Sequence, residues 1–312
     1  MAHGSTKAVY AALMANTGIA IAKFIGATYT GSSAMLSEGV HSIVDTGNQA
    51  LLLLGIKRAS QPADERHPFG YGREVYFWSF VVAILLFAIG AGVAIYEGIH
   101  KIQDPHPVQN AYINYIILTF AILLEGGSWW VAFKEFKPNR NRYGWWRSIK
   151  DAKDPVILTV LFEDTGALLG LIIAMLGIAL GEALDMPVLD GVASLMIGLL
   201  LATASVILAV ETKGLLIGES ASIELDNAIR AIVQNTPGVT HVNELLTMHM
   251  GPRDVLLNVS FSFADPLSAE EVEAAVDAME THIQTNHPEV KKIFLEVQSK
   301  AGHLASLKKE EK

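Results

Sequence analysis

Apolar positions run along this chain in six long stretches, near Ala8–Ala27, Ala34–Ile56, Tyr76–Tyr96, Tyr112–Phe133, Val156–Leu180 and Val188–Val210. Each is long enough to cross a bilayer core as a helix, which takes roughly 20 residues. The third is the least interrupted, FVVAILLFAIGAGVAIY; the first carries Asn16 and Lys23. Six spans put both termini on one side. Lys57, Arg58, Arg66 and Arg73 lie between spans two and three, and Lys134, Lys137, Arg140, Arg142, Arg147, Lys150 and Lys153 between spans four and five. The opposite loops carry Lys101 alone, and Gly181–Pro187 has Glu182 and Asp185 without a base. The positive-inside rule then makes both termini cytoplasmic, as in a multi-pass bacterial inner-membrane protein, or places them on the equivalent matrix side of an organelle.

After Glu211 the pattern changes to that of a soluble module. Ser222 is placed to cap a helix whose apolar face is Leu225, Ile229, Ile232 and Val233, stopped at Thr236-Pro237-Gly238. Val239–Met250 and Val255–Phe263 predict strands. In the second, Leu257, Val259, Phe261 and Phe263 alternate with polar residues, as in a half-buried sheet. Ser268 and Glu271 form a capping box for a helix that turns Val272, Val276, Met279 and Ile283 inward. Val290–Val297 is a third strand. The organisation expected is a six-helix α-helical polytopic membrane domain over 1–211, an αββαβ two-layer domain over 212–300, and a disordered tail over 301–312.

Composition agrees: 51% of the 312 residues are hydrophobic and 18% charged, with a net charge of −9 and a mean hydropathy of +0.35. That is ordinary for a membrane protein and unusual for a soluble one. The lipid bilayer is an expected partner, and nucleic acid is not. The N-terminal stretch lacks an A-x-A-like cleavage site, so no removable signal peptide is expected. The chain has no cysteine, which excludes disulfides and thiolate sites, so any metal is held by His, Asp, Glu, Asn or backbone oxygen.

Ionisable groups inside a span are costly and mark function. Span two reads SEGVHSIVDTGNQ, and His41, Asp45 and Asn48 at i, i+4 and i+7 share one helix face. An imidazole and a carboxylate one turn apart are a half-site for a borderline divalent metal; the same pair also reads as a hydrogen bond locking helix packing. Span five places Glu163 beside Asp164. Adjacent helical residues point about 100° apart, so the two carboxylates enter one small site with difficulty, and a metal, a proton or a partner such as Lys23 or Asn16 must offset them. Glu38 reads as an acceptor that orients the His41 ring. Glu97, Glu125 and Asp190 read as structural or proton-path residues. In the loop after span two, Asp64 and His67 form a possible metal pair or simply a polar turn.

The pattern SSAMLSEGVHSIVD, the loop PADERHPFGYGRE, six spans and the αββαβ tail together resemble the cation diffusion facilitators from about Lys7 to Ser299. HSIVDTGNQALL and LFEDT are similar to the mitochondrial-type branch. The resemblance implies a homodimer, a ferredoxin-like cytoplasmic domain, and export of a divalent metal, Zn2+ first, in exchange for protons. Its transport site takes two ligands one turn apart from each of spans two and five. His41 and Asp45 match the first pair and Asp164 the second member of the other. Val160 stands where the family has His or Asp, so Glu163, Asn48 or water completes the set, and Mn2+, Fe2+ and Co2+ stay open as cargo. In the loop site a second His is replaced by Tyr71. His241, His249, His282 and His287 are possible regulatory metal ligands of the C-terminal domain, or ordinary surface histidines. A membrane-embedded metal-dependent enzyme would need a nucleophile or activated water, and HExxH and GxSxG are absent. A passive channel fits less well than a carrier, because tight ligation slows exit.

Overall fold

The computed structural model describes residues 3–140 and 155–310, with side chains over 16–130, at Phe133 and Val156, and over 158–306. Arg142, Arg147, Lys150 and Lys153 lie outside the described residues, as do the side chains of Lys134, Lys137 and Arg140. Two compact units emerge, one of Met1–Arg58 with Glu74–Lys213 and one of Ala59–Arg73 with Gly214–Lys312.

The first unit holds six long helices: α1 (His3–Thr30), α2 (Ser33–Ala59), α3 (Glu74–Gln103), α4 (Ala111–Arg140), α5 (Pro155–Ala183) and α6 (Val188–Ile217). Among the described residues, α3, α4, α5 and α6 are apolar and long enough to cross a membrane. α2 misses that standard because it carries Glu38, His41, Asp45 and Asn48. Described side chains in α1 begin only at Asn16. Tyr29, Ile116, Leu123 and Val210 are 62–70% exposed, an outward apolar surface that water would penalise and lipid accommodates. α3 widens to a π-helical turn over Leu86–Ala91.

The ends of the helices are tied by side chains rather than left open. Gly31, at φ 66°, ends α1, and Lys101 Nζ donates to its carbonyl at 2.8 Å. α2 has no acidic residue in its first turn. Its orphan N–H groups go instead to Asp190 of α6, which accepts from Ser33 N at 2.8 Å and from Ser32 Oγ at 2.6 Å. A carboxylate there satisfies the helix dipole as well as the donors. α3 and α6 cross closely: a Cβ on Gly98 would meet the backbone of Leu195 and Gly191, the small-residue contact expected of helices in lipid.

The second unit contains α7 (Ile223–Gln234), β1 (Val239–Gly251), β2 (Asp254–Phe263), α8 (Ala269–Asn286), β3 (Val290–Val297) and α9 (Lys300–Glu310). Ser222 caps α7 through Leu225 N, and Ser268 with Glu271 forms the capping box of α8. The sheet order is β1-β2-β3, with β2 antiparallel to β1 and parallel to β3. A parallel neighbour needs a crossover, and α8 supplies it. Ile229, Val233, Met279 and Ile283 bury against Leu257, Val259 and Phe261 of β2. The far face of β2 is less open than simple alternation implies. Ser260 is buried, and it and Ser262 bond Gln298 at the entry to α9. The tail expected to be disordered over 301–312 is thus helical over Lys300–Glu310. Ser299 Oγ caps its first turn at Gly302 N, and His303 packs inward beside Gln298.

Candidate metal centre

Glu38, His41, Asp45 and Asn48 form one stripe on α2, since spacings of 3, 4 and 3 residues return to the same side of a 3.6-residue helix. Glu38, His41 and Asn48 are buried, and Asp45 nearly so. His41 Nδ1 lies 3.3 Å from Asp45 Oδ1. The contact is off hydrogen-bond direction, so neither ring nitrogen nor that oxygen has a hydrogen-bond partner among the described residues. Buried polar atoms left in this state are rare and costly. They are also what a divalent cation requires, a lone pair on nitrogen and one on oxygen facing a common space.

α5 lies alongside the stripe in the opposite direction. Asn48 Nδ2 donates to Glu163 Oε1 at 2.6 Å. Nearly three turns of α2 earlier, Glu38 abuts Gly170, where any Cβ would land on its Oε1. Gly170 is therefore the position that lets this carboxylate reach α5. Asp164 points elsewhere, accepting from Ser128 Oγ of α4 at 3.0 Å. The two adjacent carboxylates of α5 thus face different helices, as their 100° separation requires. Among the described residues no three of His, Asp and Glu stand together as a ready metal cluster: the structure brings together His41 and Asp45 and joins Asn48 to Glu163, while Asp164 turns to Ser128.

Glu38 corrects the sequence reading. It does not orient His41; its Oε2 lies 3.1 Å from Lys23 Nζ, and Lys23 also donates to Ser42 Oγ at 2.7 Å. Lys23 therefore answers Glu38 rather than Glu163 or Asp164, and Asn16 bonds Gln49. A lysine in the stretch Gly18–Ile25, apolar otherwise, was the signal for this pair. Ser128 carried no comparable signal.

The loop residues Asp64 and His67 do come together, with His67 Nδ1 3.4 Å from Asp64 Oδ1. Asp64 is already occupied: Oδ1 accepts from the backbone of Arg66 and His67, and Oδ2 accepts from Tyr71 OH at 2.7 Å. These bonds hold its carboxyl below the usual carboxylate range, the Tyr71 hydroxyl most of all. The four C-terminal histidines stay apart. His241 and His282 are exposed, His249 is buried with Nδ1 near Gly251 O, and His287 caps α8 beside Glu289.

Comparison with known proteins adds to this geometry. The family described as cation efflux transmembrane domain matches residues 9–217. The protein named proton-coupled zinc antiporter SLC30A9, mitochondrial, of Homo sapiens is 31% identical over 262 residues, 83% of this chain and 46% of that protein. Metal tolerance protein C4 of Arabidopsis thaliana is 28% identical over 264 residues, covering 83% of this chain and 57% of its own length. Magnetosome protein MamB of Magnetospirillum gryphiswaldense is 25% identical over 288 residues, 92% of this chain and 91% of its own. The chain spans about half the length of the first of these, 46%.

Proposed function

Because this chain belongs to the cation diffusion facilitator family of metal transporters, which are not enzymes, we propose that it exports a divalent transition metal, Zn2+ first, from the cytoplasm in exchange for protons. The observation that carries this reading is the buried pair His41 and Asp45, one turn apart with Nε2 and Oδ1 unpartnered among the described residues. Glu163, held by Asn48, supplies a further oxygen from α5, Asp164 supplies another by turning from Ser128 when metal is bound, and the Val160 side chain donates nothing. Neutral imidazole is the form that binds metal, so metal and protons compete for the same atoms.

On this reading all six helices of the first unit cross the membrane and both termini are cytoplasmic. The protein sits in the inner membrane of a bacterium as a homodimer. Zn2+ is favoured by the imidazole and by a relative named as a zinc antiporter. The single imidazole among several carboxylates also suits harder ions, which keeps Mn2+, Fe2+ and Co2+ as the alternative cargo.

Uptake into everted vesicles tests the proposal, using Zn2+, Mn2+, Fe2+ and Co2+ with and without an acid lumen. Zn2+ uptake that accelerates when the lumen is acid is the expected result. Metal flux indifferent to the gradient would contradict antiport, and no flux of any of the four would contradict the transport reading.

A further inference from the structure

Among the described residues of the first unit two lysines are buried, Lys23 and Lys101, at 0% and 3% exposure. Lys101 serves the helix ends, through Gly31 O and Asp190. Lys23 lies deep within α1, and its partner Glu38 is on the same stripe as His41, three residues toward the N-terminus of α2. Glu38 is bound on one side only. Oε2 takes Lys23, while Oε1 has no hydrogen-bond partner among the described residues and rests against Gly170 of α5.

A buried ion pair is an expensive way to hold two helices, since apolar residues of similar volume do so as well or better. An intramembrane lysine next to a half-bound carboxylate calls for another role. The carboxylate has one oxygen available to an incoming cation and one held by a tethered cation. A divalent ion bound at His41 and Asp45 finds in Glu38 Oε1 the next oxygen along α2 toward Ser33.

We propose that Glu38 is a relay ligand on the exit side of the transport site and that Lys23 is its resident counter-cation. Metal leaving His41 and Asp45 is taken up by Glu38, and the Lys23 ammonium, fixed to α1, competes for that carboxylate and drives the metal onward. Glu38 thereby has a cation beside it at every stage, and its charge is never left alone in a dry interior. Lys23 also raises the energy of metal at the His41–Asp45 pair by repulsion, which hastens release. The inference rests on the reading of His41 and Asp45 as the transport site.

The test uses the full-length chain, with Zn2+ affinity measured calorimetrically in detergent and Zn2+ flux measured in proteoliposomes. Lys23→Met should bind Zn2+ about tenfold more tightly, the effect expected of removing one nearby charge, and turn over several-fold more slowly. Glu38→Gln should slow flux and weaken Zn2+ binding, because the Lys23 charge is then uncompensated. The double variant Lys23→Met/Glu38→Gln has a neutral pair, which folds without a stranded charge, so it carries the test even where Lys23→Met does not fold. It should remain slow. Recovery of normal flux in the double variant, or wild-type affinity in a folded Lys23→Met, would overturn the relay and leave the pair as helix packing. Zn2+ binding that survives both His41→Ala and Asp45→Ala would overturn the transport-site reading itself, and the relay with it. Binding lost in those two and indifferent to Lys23 counts against the relay alone.

Discussion

Asn48 Nδ2 donates to Glu163 Oε1 at 2.6 Å, and through this bond the last polar residue of the α2 stripe fixes a carboxylate of α5 against α2. Asn48 thus acts as a bracket for Glu163, while its own Oδ1 has no hydrogen-bond partner among the described residues. Glutamine at position 163 keeps the acceptor and cannot ionise, so size and charge at that position are separable by substitution.

Glu163→Gln retains an acceptor at Oε1 and loses the charge. It should fold normally, keep its melting temperature in detergent, and bind Zn2+ about tenfold more weakly, because one carboxylate has left the cation's surroundings. Asn48→Ala leaves Oε1 buried without its donor and should cost about 1–3 kcal/mol of stability. Unchanged Zn2+ affinity in Glu163→Gln would make Glu163 a structural residue only.

Asp190 is the second relationship open to test. It caps α2 from α6 and stands 3.8 Å from Lys101 Nζ. Asp190→Ala removes the cap and strands a buried lysine, at a cost of about 3 kcal/mol. Asp190→Asn keeps an acceptor and should lose less. Thermal unfolding of the two variants in detergent should rank them in that order; equal loss would mean the cap contributes nothing beyond the charge.

The loop pair Asp64 and Tyr71 sets a pH dependence. The folded carboxyl lies below its ordinary value of 3.8, held down first by the Tyr71 hydroxyl. A depressed folded value means stabilisation present above the ordinary value and lost as pH falls through the folded one. Hydrogen-exchange protection factors over 64–71 should therefore be steady from pH 8 to 5 and fall only below about the ordinary value of 3.8. Tyr71→Phe should move that loss upward in pH. An unchanged profile in Tyr71→Phe would remove the hydroxyl as its cause.

Much of this was legible in the chain because the physics is local. The caps at Ser222 and Ser268 and the alternation of Leu257, Val259 and Phe261 depend on neighbours a few residues away, and the helices and strands form where those patterns point. The face shared by His41, Asp45 and Asn48 follows from helical period alone. What the period could not supply was the partner across the bundle. Lys23 and Glu38 are 15 residues apart and Asn48 and Glu163 115 apart, and only packing decides which polar groups meet. Gly170 was silent for the same reason, since its role is the space it leaves for Glu38. The α9 helix was passed over although Ala301, Leu304, Leu307 and Lys308 are good helix formers, because what anchors its start is Gln298 and Ser299 against the sheet.

The central claim is that His41 and Asp45 carry the metal. Its most direct test is Zn2+ flux into proteoliposomes for the full-length chain and for Asp45→Ala, with both proteins shown to be folded by their melting transitions. The account predicts flux in the wild type, accelerated by an opposing proton gradient, and its loss in Asp45→Ala. Equal Zn2+ flux from the two proteins would contradict it.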